Sequence, residues 1–236
     1  MIDHKDLEAA AARVAPHVRR TPLLEVEVPT PSGQRRVVLK LECLQHTGSF
    51  KPRGAFNSLL QLEGDRVIAS SGGNHGLAVA YAARALGKRA LIVVPATAAR
   101  TKVEAIKACG AEVVQIGEAP AEALAEADRR VAETGIPLVH PFDQAPTVAG
   151  QGSLGLELLD QAPEVRRWLV AVGAAACPPA WPWRWRAAAK RCPWSPSSAP
   201  PSSRPSARAG PCPPGPRAPR ARPWARPCWG RSPGRS

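Results

Sequence analysis

Short apolar runs alternate with longer amphipathic stretches over the first 173 residues, and the alternation then stops. Asp3 stands where an N-cap belongs, ahead of a helix predicted over 4–18 with Leu7, Ala10, Ala11 and Val14 on one face. Thr21-Pro22 closes it. Strand-like runs at 24–28 and 37–43 follow, separated by turn formers, and a helix is predicted over 53–62. From there the order is regular: strand 67–70, helix 74–86, strand 90–94, helix 100–109, strand 112–116, helix 121–134, strand 137–140. Gly87, Gly110 and Gly135 stop the three helices.

Short β-branched runs separated by helices of ten to fifteen residues predict parallel βαβ units, here a four-stranded domain over 52–145. A further helix is predicted over 150–161, and 168–172 reads as a buried strand ending at Gly173.

Composition breaks at the same point. Residues 174–236 hold eleven Arg, one Lys and no acid, so they carry +12 of the chain's net +13. They also hold 16 of the 27 prolines, and such a segment buries too little apolar surface to offset its ordering entropy. The basic balance therefore belongs to a Pro/Arg-rich tail, expected to be disordered, and not to the folded part. Nucleic-acid binding by that tail is the competing reading. Arg-rich composition without a recognised module argues against a specific nucleic-acid partner.

Cys43 and Cys109 sit alone in apolar or helical patterns and read as buried free thiols of a reducing cytosol. Cys177, Cys192, Cys212 and Cys228 form no close Cys-x-x-Cys pair, and His46 and His140 lack partners at ligand spacing, so no metal site is expected. No run has the ~18 apolar residues of a membrane span, and the N-terminus lacks the order of a signal peptide. A cytoplasmic protein is expected.

Two elements carry candidate chemistry. Ser49-Phe50-Lys51-Pro52-Arg53-Gly54-Ala55 places a lysine between a strand-like run and a helix. Some twenty residues on, Ser70-Ser71-Gly72-Gly73-Asn74-His75-Gly76 forms a glycine-rich loop opening a helix. Backbone N–H groups at a helix N-terminus suit an anion, and glycines let it approach closely.

In this order, the two elements resemble the fold type II enzymes that use pyridoxal 5′-phosphate, and within them the threonine/serine dehydratase and serine racemase group. The likeness covers about residues 5–173. It extends to Thr21-Pro22-Leu23-Leu24, Leu39-Lys40-Leu41-Glu42, Val139-His140-Pro141-Phe142-Asp143 and Gly150-Gln151-Gly152-Ser153-Leu154-Gly155-Leu156-Glu157. It implies an α/β fold of parallel sheets with flanking helices in two domains, with 1–51 and 146–173 in a large domain and 52–145 in a small one. It also implies pyridoxal phosphate carried as an imine on Lys51, Phe50 beside the cofactor and Asn74 donating to its ring oxygen. Ser71, Gly72, Gly73, Asn74 and His75 would hold the carboxylate of a small amino-acid substrate. Full-length members are expected to be homo-oligomers.

Each residue also has a plainer reading. Asn74 can be only a helix cap, His75 a positioned neighbour, and Arg53 a first-turn side chain.

Among related reactions, racemases of this group carry a serine two positions before the loop asparagine, as a second base on the opposite face. Gly72 stands there, and an eliminase works with Lys51 alone. The resemblance therefore implies β-elimination from L-threonine or L-serine to a 2-oxo acid and ammonia. Serine racemase, a β-replacement enzyme of the cysteine synthase kind and a catalytically dead relative are the alternatives.

After Gly173 the family continues into a glycine-rich phosphate loop, whereas here the chain reads Ala174-Ala175-Ala176-Cys177-Pro178-Pro179. Read from the third base of GC-rich codons, 174–186 can spell Gly-Gly-Val-Pro-Ala-Gly-Val-Ala-Leu-Ala-Val-Ala. A frameshifted tail is therefore expected, with low stability and little activity in the chain as it stands. The nucleotide sequence across codons 165–180 decides it.

Overall fold

The structure is a computed structural model that describes residues 2–170. The expectations for 171–236, a disordered tail and a missing phosphate loop, lie outside the described residues.

Helix α1 spans His4–Val14 and opens with a reciprocal capping box: Asp6 N donates to Asp3 Oδ1 at 3.0 Å, and Asp3 N donates to Asp6 Oδ2 at 2.9 Å. Leu7, Ala10 and Val14 are buried, while Ala11 is half-buried. The helix stops four residues short of the predicted end because Pro16 has no N–H to extend the ladder. Strands β1 (Leu23–Thr30) and β2 (Gly33–Lys40) form an antiparallel hairpin, with Leu23 opposite Lys40 and Thr30 opposite Gly33. The second predicted strand ends at Lys40, and Cys43 lies on a short 3-10 turn, Glu42–Leu44. Cys43 is therefore exposed and Cys109 only half-buried, which corrects the expectation of two buried thiols.

The parallel sheet has the order β3 (Arg66–Ser70), β4 (Arg89–Val94), β5 (Glu112–Gln115). Helices α3 (Asn74–Ala85) and α4 (Arg100–Ala108) are its crossovers. Alternation along the strands divides the core as period two requires. Val67, Ala69, Ile92 and Val94 pack with α3, α4 and α2 (Lys51–Leu59), whereas Ile68 and Val93 pack with Ala123 and Ala127 of α5 (Pro120–Thr134).

The predicted fourth strand is reduced to one parallel bridge beside β3, in which Ile68 N donates to Pro137 O at 2.9 Å and Val139 N to Ile68 O at 2.8 Å. The reasons are a side chain and a proline. On the edge that faces β3, His75 Nε2 donates to Val139 O at 2.9 Å and Pro137 has no N–H, so the groups that would extend the ladder are taken or missing, while Gln144 binds Leu138 O and His140 N on the opposite edge.

Helix α6 runs Ala145–Gln161, starting five residues before the predicted 150 with Pro146 in its first turn, where a missing N–H costs nothing. It crosses α2 at two glycines. A Cβ on Gly150 would lie 2.5 Å from Arg53 O, and one on Gly54 would lie 2.8 Å from Thr147 O. Ser58 Oγ and Thr147 Oγ1, 2.9 Å apart, pair across the contact. The strand predicted at 168–172 is not seen over 168–170, where Leu169 is 95% exposed and the segment joins neither described sheet.

Candidate active site

Lys51 is the first residue of α2, delivered by a tight turn in which Thr47 and Gly48 both take positive φ, 64° and 72°. A β-branched residue in the left-handed region is strained, and such strain concentrates where a neighbouring group must be aimed. The aim is visible. Lys51 Nζ donates to Pro141 O at 2.9 Å and lies 5.2 Å from the centroid of the Phe50 ring. The hydroxyls of Thr47 and Ser49 on the same turn are buried with no hydrogen-bond partner.

The glycine loop leaves β3 at Ser71, whose N–H donates to Val93 O at 3.1 Å and whose Oγ accepts from Gly73 N at 3.2 Å. Gly73 is the N-cap of α3 and offers no side-chain cap. The first N–H groups of the helix thus lack both intrahelical and side-chain partners. Two of the loop glycines are sterically required: a Cβ on Gly76 would stand 2.1 Å from Ser71 O, and one on Gly72 would stand 2.6 Å from the Ala98 Cβ.

Asn74 is the first helical residue and not the cap. Its Oδ1 accepts from Lys102 Nζ at 2.9 Å. His75 is buried, and its Nε2 donates to Val139 O at 2.9 Å, which fixes the proton on that nitrogen because a carbonyl only accepts. Burial drives its pKa down to about 4, with the Lys51 and His140 charges pushing the same way. His75 therefore meets the loop side through its backbone, while its imidazole points into the core.

The segment carrying Val139 and Pro141 joins the two motifs. Val139 O holds His75 and Pro141 O holds Lys51, two residues apart. His46 and His140 have structural tasks. The His46 ring stacks on Tyr81 at 5.0 Å, and His140 Nδ1 accepts from Asp143 N at 2.9 Å. Among the described residues no His, Cys, Asp or Glu group of three is placed to hold a metal, and no helix is long and apolar enough to cross a membrane.

Arg53, a plain first-turn residue by sequence, anchors the helix that carries Lys51. Its side chain is 2% exposed and forks onto Glu42, Nε to Oε2 at 2.9 Å and Nη2 to Oε1 at 2.8 Å, while Nη1 meets Glu157 Oε2 at 2.8 Å. Burial alone would lower its pKa, but the two carboxylates outweigh that and hold it above its ordinary value. Lys40 joins from β2 to Glu157, Thr21 O and Gln161, and burial keeps its pKa below the usual lysine range. A sequence signal for this cluster exists: Leu39-Lys40-Leu41-Glu42 and Leu154-Gly155-Leu156-Glu157 both end apolar runs in an acid.

Pyridoxal phosphate fits these residues on three observations: a lysine held at a helix start, an uncapped helix N-terminus, and orphaned buried hydroxyls beside the lysine. Comparison with known proteins agrees. A family described as pyridoxal-phosphate dependent enzyme matches residues 14–181, eight residues beyond the break expected from composition. The catabolic L-threonine dehydratase TdcB of Staphylococcus aureus (strain USA300) is 41% identical over 173 residues, covering 71% of this chain and 50% of that protein. A threonine deaminase from T.th. superposes with a TM-score of 0.63 at 45% identity, over 69% of this chain and 52% of that one. Maize serine racemase gives 0.64 at 35%, over 70% and 51%. The chain thus spans about half the length of the curated relatives it matches. The expected α/β fold with a parallel sheet is that of these neighbours. The chain belongs to the pyridoxal-phosphate dependent enzyme family.

Proposed function

We propose that this chain carries the lysine-bearing part of an enzyme that deaminates L-threonine or L-serine by β-elimination. The observation that carries the reading is Lys51 Nζ, held by Pro141 O on the segment that also anchors His75 of the glycine loop. Lys51, Phe50 and Asn74 would hold pyridoxal phosphate. When bound, that group supplies the electron sink for the pair left at the substrate Cα.

The remaining work belongs to protein groups. The open N-terminus of α3, with Ser71, Gly72 and Gly73 leading into it, orients the substrate carboxylate. The Lys51 amine removes the α-proton as general base. The β-hydroxyl departs as water, and hydrolysis of the resulting unsaturated product gives a 2-oxo acid and ammonia. Gly72 favours elimination over racemisation: it bears no hydroxyl to serve the opposite face, and Ala98 fills the space a Cβ would need.

The site's partner is then a small amino acid. A cytoplasmic location is proposed on the free thiols Cys43 and Cys109, and the full-length enzyme is proposed to be a homo-oligomer. The test is product analysis on the full chain with pyridoxal phosphate and L-serine or L-threonine. With the phosphate loop expected to be lost after Gly173, turnover is expected to be weak and the ratio of products is the readout. Pyruvate or 2-oxobutanoate in excess over D-serine supports elimination, and D-serine formed faster than pyruvate overturns it.

A further inference from the structure

Lys102 breaks a local rule. It is the third residue of α4, whose first turn holds Arg100 and Lys102 and no acid, although the positive end of a helix disfavours cations. Rule-breaking of this kind is expected where a side chain has another task. Lys102 Nζ reaches 2.9 Å from Asn74 Oδ1, across 28 residues of sequence, bringing the start of α4 to the start of α3.

The chemistry of the pair is directional. A carboxamide has an acceptor end and a donor end, and the terminal torsion of an asparagine is soft, so an exposed one turns either way. An ammonium has only donors. It can meet Asn74 solely through Oδ1, which turns the two Nδ2 protons to the other side of the side chain. Asn74 is exposed at its helix end, and Lys102 is the partner that holds it.

We propose that Lys102 is a positioning residue for the proposed cofactor site: it locks the Asn74 amide with its oxygen outward and its NH2 presented as donor to the ring oxygen of pyridoxal phosphate. This rests on the role given to Asn74 under the proposed function. It also adds to that role, because Asn74 alone does not determine which end of its amide faces the ring. The lysine touches neither cofactor nor substrate in this scheme and acts only through Asn74.

Two readouts on the full-length chain test it. Without cofactor, the Asn74 side-chain NH2 signals in a 15N–1H spectrum report the amide directly. Lys102→Met is expected to move them toward free-asparagine positions, and Lys102→Arg to leave them near the wild-type ones. With cofactor, the dissociation constant of pyridoxal phosphate, read from visible absorbance, is expected to rise about tenfold in Lys102→Met, the scale of one charge-assisted hydrogen bond. It should change little in Lys102→Arg. In an Asn74→Ala background, Lys102→Met should add no further loss, because the amide it positions is gone.

Unmoved Asn74 signals in Lys102→Met overturn the proposal, and so does a tenfold loss that persists in Asn74→Ala, which would make Lys102 a mere local charge. If the wild-type chain binds no pyridoxal phosphate, the proposed function of this chain fails. The cofactor-free spectra then still decide whether Lys102 holds the amide.

Discussion

Gly72 and Ala98 meet so closely that a Cβ on the glycine would stand 2.6 Å from the Ala98 Cβ and 3.6 Å from that of Val94. Neither contact is with a flexible side-chain end, so the backbone itself must shift. Gly72→Ser, the change toward the racemase pattern, is expected to destabilise the chain by about 1–3 kcal/mol through overpacking. Adding Ala98→Gly should return most of that loss. Urea unfolding of the two variants checks both statements, and a Gly72→Ser protein as stable as wild type would contradict them.

Arg53 is ion-paired with both Glu42 and Glu157, whose side chains are only 12% and 11% exposed, and Lys40 also pairs with Glu157. Arg53→Met leaves two nearly buried carboxylates without it, and the expected cost is about 3–5 kcal/mol. Replacing Glu42 by Gln in the same variant should recover part of the loss, since it removes one stranded charge. The comparison of urea midpoints decides between this cluster and a merely bulky arginine, for which Glu42→Gln would bring no recovery.

His75 makes stability depend on pH. Its pKa is lowered to about 4 in the folded protein, from an ordinary value of 6.5, chiefly by burial. Between those two values the unfolded chain binds a proton that the folded one refuses, so stability falls as pH drops. The loss begins near pH 6.5, is complete near pH 4, and amounts to about 3 kcal/mol. His75→Gln removes this titration, so the stability difference between wild type and variant should change across that window. A difference that stays constant from pH 7.5 to 4.5 would show that His75 does not titrate as its burial requires.

Much of this is legible in the sequence because hydrophobic periodicity and glycine stops report local structure directly. The helices of the βαβ units lie within a residue or two of their predicted bounds, and Lys51 stands at a helix start as its neighbours imply. The failures share a cause: a distant side chain decides the backbone's partners. The His75 ring takes the Val139 carbonyl that would extend the pairing of 137–140 with β3, and no local pattern announces that. Arg53 reads as an ordinary first-turn arginine until α6 brings Glu157 to it. His75 reads as a loop residue, yet Val139 O draws its ring inward. Lys102 looks like any lysine on a polar helix face until α4 is placed beside α3.

The proposed chemistry requires that Lys51 be the residue that takes pyridoxal phosphate. Treating the full-length chain with a stoichiometric amount of the cofactor, reducing with borohydride and mapping the modified peptides puts that to the test. One dominant label on Lys51 is expected, absent in Lys51→Ala, with Lys40, Lys88 and Lys102 essentially unlabelled. Label spread over the surface lysines, or equal labelling of the Lys51→Ala protein, would contradict it.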